Sequence, residues 1–216
     1  DGDSLLATIQ TDGRGRHGNH WQDHPDSFKG SWLLDSEHLL DITPLKQLYV
    51  TQEIRSALCF EKEHLQNMLT KWPNDLLLRE QQELQWHKVG GVLFQSFSKG
   101  DQQRIVIGIG INTNNRELQP GQGSLDQIGI YLNPSELYTI LNAVVASIFE
   151  KKHMLLDRVS EENIDMESVL SNCIYRNQSC TVKTIIEQKI IIEGQEGQTF
   201  EIDDDDQINW KNLHPQ

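Results

Sequence analysis

The chain has 216 residues, 37% of them hydrophobic, and carries 32 Asp and Glu against 19 Lys and Arg, for a formal charge of −13. That length suits one medium domain, or one domain with a small companion, and the composition is that of an ordinary globule with a buried core. So acidic a surface argues against nonspecific binding to nucleic acid or anionic membranes, no apolar run reaches the ~20 residues of a membrane span, and no signal peptide is recognisable.

In chain order, Ser4–Gln10 is short and apolar and reads as a strand that ends at a Gly-, Asp- and His-rich loop over residues 11–30. "GSWLLD", from Gly30, reads as the next strand. Thr43 is a candidate cap with Pro44 behind it, and Leu45, Leu48, Tyr49, Ile54, Leu58 and Phe60 predict a helix over 43–60. "MLTKW" and "DLLL" read as short strands around Pro73, with "REQQELQWH" as a polar connection. "KVGGVLFQSF" and "RIVIGIGIN" are β-rich runs joined by a turn, and the second is apolar enough for the middle of a sheet.

The clearest helical pattern begins near Pro134, with Leu137, Ile140, Leu141, Val144, Val145, Ile148 and Phe149 at helical spacing. "EENIDMESVLSNC" predicts a shorter helix, and the brief runs "CTVKTII", "KIIIEG", "TFEI" and "QINW" predict strands. The expected fold class is therefore α+β: a mixed β-sheet domain with helices packed on it over residues 1–172, then a small barrel-like β module over 173–216. Cys59, Cys173 and Cys180 form no CxxC pair and read as reduced thiols, which predicts a cytoplasmic protein.

Four stretches carry candidate chemistry. In "QTDGRGRHG" the glycines let backbone N–H groups approach a ligand, and the forks of Arg14 and Arg16 match carboxylate or phosphate oxygens, although a solvated turn shows the same pattern. "KWPNDLLL" sets Lys71 and Asp75 a few residues apart, so the carboxylate can orient Mg²⁺ or a lysine; a salt-bridged turn over a buried Trp is the plainer alternative. In "HKVGGVL" Lys88 stands beside the bare backbone of Gly90 and Gly91, which suits an anion, while a solvated lysine next to a β-bulge is the structural alternative. "GIGIN" fails the dinucleotide spacing at Asn112, so a Rossmann site is rejected. His17, His20 and His24 have no cysteine nearby to complete a zinc site, and Asp203–Asp206 lacks EF-hand spacing and reads as a solvated turn.

Taken in order, "QTDGRGRHG", "KWPNDL", "KVGGVL" and "GIGINTN" resemble the biotin protein ligases, whose motifs GRGRxG, KWPND, KxxGxL and GxGIN follow one another in this way. The resemblance covers residues 3–150 well and the tail weakly. It implies a class II synthetase-like (lipoate–biotin ligase) catalytic domain with an SH3-like C-terminal barrel. It also implies an ATP-dependent ligase that makes biotinyl-5′-AMP from biotin and MgATP, then transfers biotin to a lysine of a carboxylase's biotin carrier domain. By similarity Gln10, Gly13, Arg14, Arg16, Lys88, Gly90 and Gly91 bind biotin. Arg14, Arg16, Trp21, Lys71, Asn74 and Asn112 bind ATP, and Lys88, Arg16 and Asp75 are catalytic, with Asp75 also the candidate Mg²⁺ ligand.

Three departures accompany it. Asn19 stands where members often carry a basic residue, "FKGSWLLDS" aligns ambiguously with the family's GxNLxxS stretch, and the family's STN motif, expected upstream of Gln10, does not occur in residues 1–9. No helix-turn-helix is recognisable, so DNA binding is not expected, and the chain is expected to act as a monomer or homodimer. Two rivals remain: lipoate or octanoate transfer on the same fold, which KWPND and the paired arginines disfavour, and a module that binds biotin or its adenylate without turnover, which the retained Lys88 and Asp75 disfavour.

Overall fold

A computed structural model describes residues 3–35, 43–99, 102–114, 116–149, 159–203 and 207–213. Its larger sheet has the strand order β1-β2-β6-β5-β4-β3, formed by Ser4–Leu6, Ser27–Asp35, Met68–Lys71, Asp75–Leu78, His87–Lys99 and Gln102–Asn112 as β1 to β6. Every ladder in it is antiparallel. Among the described residues parallel pairing enters only as isolated bridges such as Thr70–Val169 and Lys88–Gln122, so the sheet is mixed at its margins.

The two faces of this sheet differ because the sequence alternates. Along β6, Ile105, Ile107, Ile109 and Ile111 are buried, while Gly108 and Gly110 come between them on the other face. Phe28, Trp32 and Leu34 of β2 and Val92 and Phe94 of β5 join the isoleucines in one core. Gly30 sits between Phe28 and Trp32, whose rings stack at 6.2 Å, and a Cβ there would meet ring atoms of both at 2.7 Å.

Two helices cover the core face. Helix α1, Pro44–Leu58, starts as expected, with the Thr43 hydroxyl accepting from Lys46 N–H and Pro44 in the first turn. It stops two residues short of the expected end because Cys59 leaves the helical region, so Phe60 lies outside the stripe and is 59% exposed. A short helix the sequence reading missed, α2 (Lys62–Asn67), follows behind a reciprocal cap between Glu61 and His64. Helix α3, Pro134–Phe149, is capped by Asn133, whose side chain accepts from Ser135 and Glu136 N–H. It buries Leu137, Leu141, Val144, Val145 and Ile148, and residues 150–158 lie outside the described residues.

The helix expected in "EENIDMESVLSNC" is instead two 3₁₀ turns, Glu161–Asn163 and Met166–Ser168. Local caps compete with the helix here: Asp165 accepts from Glu167 N–H, and its own backbone exchanges hydrogen bonds with the buried Gln52 of α1. The same stretch ends in a strand. Asn172–Tyr175, Gln178–Ile186, Lys189–Gly194, Thr199–Ile202 and Asn209–Trp210, as β7 to β11, form a second antiparallel sheet in the order β10-β9-β8-β7-β11. Loop 79–86 joins the two sheets: Trp86 N–H donates to Asn212 C=O at 2.6 Å, and Trp86 packs with Leu77 and Leu170.

Replacing Gly30 by Ala should destabilise the protein by about 1–3 kcal/mol, the usual cost of forcing an extra carbon into a packed core. Urea denaturation would read it; an unchanged midpoint would mean that the Phe28 and Trp32 rings shift freely.

Candidate active site

The uncovered face of the larger sheet is the floor of a cleft of about 870 Å³. Gly91, Leu93, Gln95 and Phe97 of β5 and Val106, Gly108 and Gly110 of β6 line it, and the loop after β1 forms a wall with Gln10, Arg14, Arg16 and Trp21. That loop is a small hairpin. Trp21 N–H donates to Gly13 C=O at 2.9 Å, Gly15 N–H to Asn19 C=O at 2.7 Å, and Arg14 bridges His20. At the tip His17 and Gly18 take positive φ, of 54° and 79°. Glycine is required at two close approaches: a Cβ on Gly13 would meet Trp21 C=O at 2.5 Å, and one on Gly110 would meet the Trp21 ring at 2.7 Å.

Lys88 reaches this cleft through an irregularity. Odd-numbered residues of β5 line the cleft from Gly91 onward, while Val92 and Phe94 enter the core. Strict alternation would put Lys88 in the core. Instead Leu76 pairs with Gly90 and Leu77 with Lys88, so Val89 is an extra residue, fully buried, and the parity flips. The bulge foreseen near the glycines is present, and it turns Lys88 toward the cleft rather than leaving it solvated.

There Lys88 Nζ lies 2.7 Å from Asp75 Oδ1 and 5.9 Å from the centre of the Trp21 ring. Lys71 Nζ lies 3.3 Å from the other Asp75 oxygen. Burial pushes the Asp75 carboxyl up, but Lys88 and then Lys71, by charge and by hydrogen bond, outweigh it and hold the group below its ordinary range. With an ammonium on each oxygen the carboxylate does not fit a Mg²⁺ ligand, and no cluster of three or more His, Cys, Asp or Glu suited to a metal exists among the described residues. Both Asp75 oxygens thus face lysines at the position where the sequence reading expects Mg²⁺. His17, His20 and His24 likewise form no metal cluster.

The other expected residues divide. Gln10, Arg14, Arg16, Trp21, Lys71, Asn74, Asp75, Lys88 and Gly91 all line the cleft. Arg14 is largely exposed and pairs with Asp12 at 3.2 Å. Asn74 is committed to the scaffold: its side-chain N–H donates to Val92 C=O at 2.6 Å and its own C=O accepts from Val92 N–H at 3.0 Å. Gly90 packs against β6, where a Cβ would meet Gly110 C=O at 2.7 Å. Asn112 is not brought to the cleft. It is buried at the end of β6, donates to Gly123 C=O at 3.1 Å, and leaves its own side-chain oxygen without a partner.

The sequence reading missed Lys29 and Asp23, a buried lysine paired with a half-buried carboxylate beneath the loop. Burial raises the Asp23 carboxyl, and the hydrogen bond from Lys29, the Gln10 N–H and the charges of Lys29 and His24 together bring it below its usual value. The available signal was a lysine set between Phe28 and Trp32 in an apolar strand.

A model of the biotin/lipoate A/B protein ligase family matches residues 1–112, which hold the loop, the Asp75 turn, Lys88 and the glycine-alternating strand. The chain belongs to this family. Among family relatives, the bifunctional ligase/repressor BirA of Escherichia coli is 30% identical over 148 residues, 65% of this chain and 43% of that protein. The chloroplastic biotin–protein ligase 1 of Arabidopsis thaliana is 24% identical over 229 aligned positions, covering 99% of this chain and 59% of that protein. The chain thus spans less than two thirds of the length of these relatives. Among solved structures, the biotin protein ligase from Aquifex aeolicus in complex with biotin and ATP superimposes with a TM-score of 0.69 at 22% identity, covering 95% of this chain and 87% of that one. The two share this α+β fold.

The depressed Asp75 carboxyl fixes a pH dependence. Its contribution to stability is complete above the ordinary carboxyl value, about 3.9, and is lost as pH falls through the lower folded value. Acid titration of unfolding should therefore show a loss below about pH 4 that is weaker in Asp75→Asn; equal profiles would mean the lysines do not hold the carboxylate.

Proposed function

We propose that this chain is the catalytic part of an ATP-dependent biotin protein ligase. The observation that carries the reading is an acidic protein's cleft ringed by Arg14, Arg16, Lys71 and Lys88 above an apolar floor of Leu93, Phe97 and Val106. Such a site suits a ligand with an apolar chain, a carboxylate and a phosphate partner. The family membership and the complexes of its neighbours, one with biotin and ATP and one with biotinyl-5-AMP, support the same reading.

In the first step a biotin carboxylate oxygen attacks the α-phosphorus of ATP, the bond to the bridging oxygen breaks, and pyrophosphate leaves. Two anions must meet, so the cations on this wall lower the barrier. Lys88 is the central cation, held by Asp75 so that its ammonium enters from the floor rather than from solvent. Arg14 and Arg16 close over the anion from the loop, and the Trp21 indole, whose buried N–H has no partner, stands beside the nucleotide. In the second step a carrier lysine, after losing a proton, attacks the acyl carbon and AMP departs. Magnesium enters with ATP as part of the substrate, since Asp75 is occupied by lysines. Residues 1–172 would form the catalytic domain and 173–216 an appended SH3-like module. The partner would be a biotin carrier domain in the cytoplasm, and DNA binding forms no part of the reading.

Incubation with MgATP and biotin, read by mass spectrometry, should give biotinyl-5′-AMP, and none of the corresponding adenylate with lipoate or octanoate. Lys88→Met or Arg16→Ala should slow its formation by about 10²–10³, the usual effect of removing one preorganised charge donor. An adenylate with lipoate in place of biotin would overturn the substrate assignment, and a full rate in Lys88→Met would remove that lysine from the site.

A further inference from the structure

The pairing of β1 with β2 ends at Leu6–Gly30, and Ala7 N–H then donates to Lys29 C=O at 2.9 Å. Beyond that point the chain leaves the sheet to form the wall of the cleft, and it returns at Ser27. The base of this excursion converges on one side chain. Lys29 Nζ donates to Thr8 C=O at 3.0 Å, to His24 C=O at 3.0 Å and to the Asp23 carboxylate. The other Asp23 oxygen accepts from Gln10 N–H at 3.0 Å. The outgoing and returning limbs, at residues 8 and 10 and at residues 23 and 24, are thus tied together through a lysine whose side chain is 3% exposed.

We infer that Lys29 and Asp23 are positioning residues for the ligand-binding loop, a role that rests on the reading of this cleft as the biotin and ATP site. An ammonium has three donors, and here all three are taken by protein acceptors, so Lys29 has none left for a ligand. Its effect on catalysis must pass through the loop. Gln10 is held by its backbone rather than its amide, which leaves its side chain to the cleft. The hairpin bonds between Gly13 and Trp21 and between Gly15 and Asn19 shape the tip but do not anchor it, so the Lys29 cluster sets where Arg14, Arg16 and Trp21 stand over Lys88.

The test uses the full chain with Lys29→Met, Asp23→Asn and the double variant. Removing one partner strands a buried charge, whereas the neutral double variant removes the pair together and is the one expected to keep its stability. Hydrogen exchange without ligand should speed about 10-fold or more in residues 11–22 of the double variant, with residues 105–111 of β6 unchanged, as expected when charge-assisted hydrogen bonds at a loop base are lost. The KM for biotin and for ATP should rise by about 10-fold or more, with kcat at saturation changed far less. Lys29→Arg, which keeps the charge, should recover part of the KM. Unchanged exchange in 11–22, exchange raised equally in 105–111, or a fall in kcat at constant KM would each overturn the inference. Should the wild-type protein form no adenylate, the functional reading fails, while the exchange measurement still decides whether this pair fixes the loop.

Discussion

Two strands of alternating glycine or polar and apolar residues, β5 and β6, impose the constraint on which the site depends. One face must be dry and packed, and the isoleucines of β6 with Val92 and Phe94 make it so under α1 and α3. The other face is then free to be bare, and Gly108, Gly110 and Gly91 keep it low enough for a ligand and for the Trp21 ring. A lysine that is to reach the cleft from such a strand must respect the same parity. The bulge at Val89 lets Lys88 stand on the ligand side while Val89 itself stays in the core. One extra residue in a ladder is what places the main cation of the cleft.

Asp75 shows how a buried carboxylate can be held at the wall of a cleft. It lies where the turn after β3 enters β4, opposite Gly91. Two lysines from different strands share it, one at 2.7 Å and one at 3.3 Å. The pair of cations offsets the cost of burying the acid, and the acid holds the cations apart from bulk water and facing the cleft. The protein is acidic as a whole, yet the field at this point is positive, because the wall adds Arg14 and Arg16 above the lysines. Positive charge is therefore gathered locally, on the side chains that line this cleft.

The loop and the C-terminal sheet are fastened to this frame by different means. Loop 8–24 is tied at its base by a charged cluster under β2. The C-terminal sheet is joined through apolar packing and backbone bonds, with Trp86 meeting Asn212 and Leu213 two residues before Lys88. Both attachments end close to the cleft: Lys29 lines it, and Trp86 lies two residues before Lys88.

The sequence by itself determined the chemistry on offer. The ordered motifs identified the loop arginines, the Lys71–Asp75 turn, Lys88 and the strand "GIGIN", and the apolar run "RIVIGIGIN" read as a strand in the middle of a sheet. Helices α1 and α3 were legible from caps and spacing, because those signals are local. What tertiary structure alone decided is long-range. Asp75 meets a lysine thirteen positions later, Asn112 donates to Gly123, and Asn74 donates to Val92. The helix expected after residue 160 gave way to caps and to Gln52 of a distant helix. Lys29 fell in the expected loop over 11–30, but β2 begins at Ser27 and the chain brings Thr8, Asp23 and His24 around this lysine. Local patterns state which groups are present and on which face; only the closing of loops and ladders states which charge meets which, and the meeting fixes the role.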